Sequence, residues 1–72
     1  GYAMKTHYVP NTPFTMYWGG REVQGQCKWV VECDDWQILD DFVMEWGQLF
    51  CYKDEAIERC TEWWEENSRY YA

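Results

Sequence analysis

The cysteines and the single histidine are the residues of this chain with the most distinctive chemistry. The 72-residue sequence contains Cys27, Cys33, Cys51 and Cys60, together with His7. Four thiolates can hold zinc, but structural zinc sites usually draw their cysteines from pairs separated by about two to four residues. Here five residues separate the first pair and eight separate the last. We therefore expect buried, reduced thiols and no metal or other cofactor, with a metal-stabilised or redox domain as the alternative.

Catalytic and compartment signals are sparse. His7 lies in a proline-containing segment, residues 1–13, which we expect to be an irregular N-terminal arm. Residues 1–3 precede Met4 and are typical of a cloning remnant. The sequence has no glycine-rich phosphate loop and no EF-hand pattern. It predicts a protein that is not an enzyme, and reduced thiols favour the cytoplasm.

Acidic residues dominate the second half of the chain. Residues 1–33 carry three basic against two acidic residues, a net charge of +1, whereas residues 34–72 carry eleven acidic against three basic residues, a net charge of −8. Because these acids fall on the outward sides of two predicted helices, one side of the molecule should be strongly negative. A negative surface repels nucleic acid and attracts a basic protein surface. The alternative is a solvated face that only keeps the protein soluble. The candidate partner-binding residues are Asp40, Asp41, Glu45, Glu55, Glu58, Glu62, Glu65 and Glu66.

A β-hairpin is predicted in residues 14–33, because Gly19-Gly20 separates two runs that alternate between apolar and polar residues. A two-residue turn would place Trp18 opposite Arg21, Met16 opposite Val23, Phe14 opposite Gly25 and Thr12 opposite Cys27. Side chains alternate across a strand, so one face should be dry. That face would carry Phe14, Met16, Trp18, Val23, Cys27, Trp29, Val31 and Cys33.

The other face of the hairpin is a secondary candidate site. A two-layer fold leaves it uncovered, and an exposed sheet face or edge can bind a partner or a second copy of the chain. A structural homo-oligomer is therefore an alternative function, while an ordinary solvated face is the simplest interpretation. The face carries Thr15, Tyr17, Glu22, Gln24, Gln26, Lys28 and Val30, of which Tyr17, Gln24, Gln26 and Lys28 are the candidate contacts.

Two helices are predicted to cover the dry face. Residues 36–46 have helical apolar spacing, with Asp34 or Asp35 as N-cap and Gly47 just beyond the end. The half of the helix expected to be buried carries Trp36, Ile38, Leu39, Phe42, Val43 and Trp46, the outward half carries Gln37, Asp40, Asp41 and Glu45, and Met44 is the one exception. Strand spacing fits the same residues almost as well, so a strand is the alternative. Residues 48–53 predict a third, well-covered strand, and a helix follows with Asp54 as its cap. Its apolar stripe comprises Ala56, Ile57, Cys60, Trp63, Trp64 and Tyr71.

The predicted order is ββαβα, a two-layer α+β sandwich formed by residues 14–72. A right-handed crossover would make the third strand parallel to the second. No apolar run is long enough for a transmembrane helix. We expect a small, acidic, tryptophan-rich protein-binding module of the inhibitor or adaptor type. Compact acidic chains of this kind occur among phage and bacterial accessory proteins.

Overall fold

The fold is α+β, as predicted. The computed structural model describes residues 5–20, 25 and 28–71. The described strands form one antiparallel sheet in the order β1-β2-β3-β4, and two helices pack against it. The elements are β1 His7–Tyr8, β2 Phe14–Trp18, β3 Trp29–Cys33, α1 Trp36–Trp46, β4 Leu49–Phe50 and α2 Lys53–Asn67, followed by a 3-10 turn, Ser68–Tyr71.

The hairpin forms with a longer connection than predicted. Trp18 pairs with Trp29 and Phe14 with Cys33, so the two-residue turn and its register are wrong. The partner of Trp18 moves from position 21 to position 29, a shift of eight residues. The apolar run of β3 gives β2 better cross-strand partners than the polar residues next to the turn. The predicted positions of Arg21, Val23 and Cys27 lie outside the described residues.

The predicted dry face survives this shift, because an even change of register keeps each side chain on the same face. Phe14, Met16 and Val31 are at most 1% exposed and lie in the hydrophobic core. Trp29 and Cys33 are half-buried against that core. Trp18 departs from the prediction, since 46% of its surface is exposed.

Helix α1 has the predicted ends, and the strand alternative is excluded. The Asp35 side chain accepts hydrogen bonds from the backbone N–H groups of Gln37 and Ile38, 2.9 and 3.2 Å long. At the other end, Gly47 donates its N–H to the Val43 carbonyl with φ 82° and ψ 179°. That backbone conformation is essentially restricted to glycine, so Gly47 ends the helix for a steric reason.

Strand β4 runs antiparallel to β3, so the predicted parallel crossover is wrong. Helix α1 ends beside the middle of β3, where the Val31 N–H donates to the Gln48 carbonyl over 3.0 Å. A parallel strand would require the chain to return first to the beginning of β3. From the middle of β3, the chain continues towards that beginning and pairs Leu49 with Val30. The strand is also shorter than predicted and lies at the edge of the sheet.

Helix α2 closes the core with a cluster of aromatic rings. It begins at Lys53, with Tyr52 as a cap that makes no side-chain hydrogen bond, so Asp54 lies in the first turn and is not the N-cap. The centre of the Trp63 ring lies 5.6 Å from the ring centre of Phe42 and 5.9 Å from that of Phe14. All six members of the predicted stripe lie in the core or pack against it. The stripe prediction is confirmed.

The N-terminal segment is more regular than expected. His7 and Tyr8 form strand β1 and pair with Met16 and Thr15 of β2. The next residue, Val9, is 1% exposed and belongs to the core. Within the described residues, neither helix has the length and apolar character needed to cross a bilayer.

Candidate functional site

Six carboxylates project from the side of α2 that faces solvent. Asp54, Glu55, Glu58, Glu62, Glu65 and Glu66 are all exposed. At roughly 100° per residue, they fall within about one third of the helix circumference. We call these six residues the acidic arc. Five of the six are among the partner-binding residues predicted from the sequence. Asp54 is not among them, because the sequence pattern assigns it to the N-cap of the helix.

Little of this charge is neutralised within the described part of the chain. There, the one ion pair joins Arg59 to Glu62 over 3.9 Å. The Arg59 guanidinium also lies 4.4 Å from the centre of the Trp46 ring, so it is shared between two partners. Such exposed pairs contribute only about 0–1 kcal/mol. The acidic arc therefore presents an excess of negative charge to the solvent.

Two other candidate acids have a structural role. The Glu45 carboxylate accepts a 2.8 Å hydrogen bond from the Trp63 indole N–H, and the Asp41 carboxylate accepts a 2.5 Å bond from the Tyr71 hydroxyl. Burial, followed by this hydrogen bond, raises the pKa of Tyr71 to about 12. Both acids therefore join α1 to the C-terminal part of the chain. They are less available to a partner than the acidic arc is.

The secondary candidate face is only partly polar. Tyr17 and Lys28 are half-buried on it, and Gln24 and Gln26 lie outside the described residues. Val30, which the two-layer prediction leaves uncovered, is only 3% exposed. Desolvation, with a smaller contribution from the charge of Glu32, raises the pKa of Tyr17. The sheet face is therefore partly apolar and carries negative charge beside Tyr17.

A groove runs between this sheet face and α1. It consists of two cavities of about 510 and about 380 Å³. Glu32, Val43 and Gln48 line both of them, so the cavities adjoin. We call the whole the α1–β3 groove. Its remaining walls are formed by Tyr17, Val30, Cys33, Trp36, Leu39, Asp40, Gly47 and Leu49.

The exposed apolar residues of α1 were mostly assigned to the wrong environment. Trp36 was expected on the buried half of the helix, yet 76% of its surface is exposed. Trp46 was also expected to be buried and is 40% exposed. Met44, the exception in the apolar pattern, is 87% exposed. Its position among acidic residues was the one signal in the sequence of an apolar side chain facing solvent.

The described cysteines differ in environment. Cys33, Cys51 and Cys60 are free. Burial, with a smaller effect of the nearby Cys33, raises the pKa of Cys60 to about 12, which makes this thiol inert at neutral pH. Cys51 is exposed and accepts a hydrogen bond from the Lys28 ammonium over 2.6 Å. This bond raises the pKa of Lys28. Cys27 lies outside the described residues.

The histidine packs against an aromatic ring. His7 meets Trp29 edge-on, with 5.5 Å between ring centres, and Lys53 lies 5.6 Å from the same indole ring. Desolvation and the charges of Lys53 and Lys5 lower the pKa of His7. In the described part of the chain, no group of three or more histidine, cysteine or acidic side chains is arranged to hold a metal ion.

The structure therefore offers two candidate surfaces, the acidic arc of α2 and the α1–β3 groove. Comparisons with protein-family models, with curated proteins and with solved structures find no match to this chain.

Proposed function

We propose that this chain is a small, non-enzymatic protein-binding module, an inhibitor or adaptor, that binds a basic surface of another protein through the acidic arc. The observation that carries the proposal is the exposure of all six carboxylates on one side of one helix. Like charges at i,i+4, such as Glu58 and Glu62, destabilise an isolated helix. Asp54 and Glu55 lie in the first turn of α2, where negative charge stabilises a helix. The four glutamates further along bring no such benefit to the fold, whereas a basic partner would benefit from them.

The helix that carries the arc is held rigidly. Its buried side contributes Ala56, Cys60 and Trp63 to the core, each at most 4% exposed. The Trp63 indole is fixed further by its hydrogen bond to Glu45. A rigid helix presents its carboxylates without an additional ordering cost on binding. Electrostatic complementarity of this kind favours fast association and selects against acidic partners, including nucleic acids.

We place the protein in the cytoplasm. Support comes from the free thiols of Cys33, Cys51 and Cys60, which suit a reducing compartment. Counting the titratable thiols of freshly purified protein under denaturing conditions tests this assignment. Four thiols agree with it, and a count of two or fewer contradicts it.

The experiment on the acidic arc compares three baits for capturing a partner from a lysate of the source organism. They are the wild-type chain, the charge-reversed variant E58K/E62K/E65K and the charge-preserving variant E58D/E62D/E65D. Circular dichroism first establishes that all three are folded. Exposed substitutions usually change stability by no more than about 0.5 kcal/mol each.

We expect a basic protein to be retained by the wild-type and aspartate baits and lost from the lysine bait. Its affinity should fall steeply when ionic strength rises from about 0.05 M to about 0.5 M, because salt screens exposed charges. Retention on all three baits, or affinity that is indifferent to salt, would contradict the proposal. Failure to retain any protein would also contradict it.

A further inference from the structure

The α1–β3 groove is lined by one continuous stripe of helix α1. Trp36, Leu39, Asp40 and Val43 are spaced at i, i+3, i+4 and i+7, the spacing of one helix face. A different side of the same helix supplies Ile38 and Phe42 to the core. The groove is therefore lined by a second face of α1, which overlaps the core-facing side at Leu39, 9% exposed, and at Val43, which packs against the core.

The groove is preformed. The Asp35 cap fixes the beginning of α1, and Phe42 anchors its middle at 0% exposure. Across the groove, the Gln48 side chain donates to the Val31 carbonyl over 3.0 Å, so Gln48 is held against β3. Preorganised walls reduce the ordering cost of binding. The two cavity volumes also lie in the range of about 300–1,000 Å³ that is usual for ligand sites.

The chemistry of the groove is apolar with negative charge. Val30, Leu39 and Leu49 provide apolar lining, and among the described residues no lysine or arginine lines either cavity. Glu32 and Asp40 are exposed and accept no hydrogen bond from another described residue. A cationic group would complement both carboxylates, and an apolar group would complement the lining.

Arginine matches this combination better than lysine does. Its planar guanidinium pairs with carboxylates through two parallel hydrogen bonds and also stacks on aromatic rings. The exposed indole of Trp36 lines the same cavity as Asp40 and Glu32. An apolar residue next to the arginine could then cover Val43, which is common to both cavities.

We propose that the α1–β3 groove binds an arginine-containing, otherwise apolar segment of a partner protein. The inference rests on the proposed function, since it adds a second contact for a basic partner, outside the acidic arc. The negative potential of the whole chain, with its net charge of −7, attracts such a segment over longer distances. The groove then discriminates among basic segments by requiring apolar residues as well.

The test uses the full chain labelled with nitrogen-15 and a blocked octapeptide of alternating arginine and leucine. Two octapeptides of the same length serve as controls: alternating glutamate and leucine, and alternating arginine and serine. We expect saturable NMR shifts in the amides of Val30, Glu32, Val43 and Gln48 with the arginine–leucine peptide. Both controls should bind at least about fivefold more weakly.

Matched variants locate the contact. E32Q/D40N should weaken binding of the arginine–leucine peptide by about fivefold, because it removes two exposed charge pairs. E58Q/E62Q makes the same change of net charge on the acidic arc and should weaken binding by less than about twofold, through the long-range field alone. Equal effects of the two variants would overturn the proposal.

The remaining outcomes are also decisive. Shifts confined to α2 would overturn the groove and leave the proposed function standing. Groove shifts with the arginine–leucine peptide would support the groove even if the charge-reversed bait retained its partner and the proposed function failed. Groove shifts that depend on protein concentration without peptide would identify a second copy as the occupant and overturn the proposal. Equal binding of the arginine–serine peptide would overturn the apolar requirement.

Discussion

The hydrogen bond between Glu45 and Trp63 provides the sharpest test of the division between acids that stabilise the fold and acids that are free to bind a partner. The Trp63 ring is 4% exposed, and its N–H donates to the Glu45 carboxylate over 2.8 Å. Glu45 itself is exposed. Hydrogen bonds to charged groups contribute about 1.5–3 kcal/mol. Water can partly replace an exposed carboxylate, so we expect E45A to lower the free energy of unfolding by about 1–2 kcal/mol.

Comparison with Glu58 isolates this contribution. E58A removes an exposed acid from the middle of the acidic arc, and it should change the free energy of unfolding by no more than about 0.5 kcal/mol. Relief of repulsion from Glu62 favours a small increase. The two substitutions change net charge equally, so a difference between them cannot arise from net charge.

A double-mutant cycle measures the pair directly. W63F removes the indole N–H and retains an aromatic ring, and it is combined with E45A. Urea unfolding is followed by far-UV circular dichroism, because replacement of a tryptophan alters the fluorescence. We expect a coupling energy of about 1 kcal/mol at an unchanged slope of free energy against urea concentration. A coupling energy below about 0.3 kcal/mol would refute the structural role of Glu45. Equal effects of E45A and E58A on the free energy of unfolding would refute it as well.

Three further predictions concern the core, the end of α1 and alkaline pH. F42A should lower the free energy of unfolding in urea by about 3–5 kcal/mol, because Phe42 is buried, whereas W36A should lower it by less than about 0.5 kcal/mol. Similar losses in the two variants would contradict the assigned exposures. G47A should lower the free energy of unfolding by about 1–3 kcal/mol through backbone strain, although a Cβ atom at this position meets nothing within 4 Å. An unchanged midpoint of urea unfolding would contradict this prediction. The raised pKa values of Cys60 and Tyr71, each about 12, favour folding below the unfolded values of 9.0 and 10.0. This stabilisation should disappear as pH rises from about 9 to about 12, and less steeply in C60A, which lacks one of the two groups. A midpoint of urea unfolding that stays constant from about pH 7 to about pH 11 would contradict the prediction.

Local signals in the sequence were sufficient to predict the helices. Asp35 and Gly47 fix the ends of α1 through short-range capping, which depends only on neighbouring residues. The stripe of α2 was predictable for the same reason, because one helix face must meet the core. The hairpin register was not predictable from Gly19-Gly20, since the choice between a short and a long connection depends on pairing energies across the whole of β3.

The candidate site was predictable in composition and only partly in position. A helical wheel places Asp41 and Glu45 on the outward side of α1, and their hydrogen bonds depend on how α2 crosses α1. That crossing is a tertiary property without a local signal. Trp36 shows the same limit: the apolar half of α1 is broader than the surface that the sheet can cover. Trp36, left uncovered by the sheet, lines the α1–β3 groove.

Helix α1 thereby connects stability and binding. One side of it supplies Phe42 to the core, another bonds to Trp63 through Glu45, and a third lines the groove. A ligand that binds only the folded groove stabilises the fold, by about 2.7 kcal/mol at a concentration 100-fold above its dissociation constant. A substitution such as E45A weakens the fold without touching the groove. Its effect on ligand binding should therefore vanish under conditions in which the variant is fully folded, whereas the effect of D40N should persist.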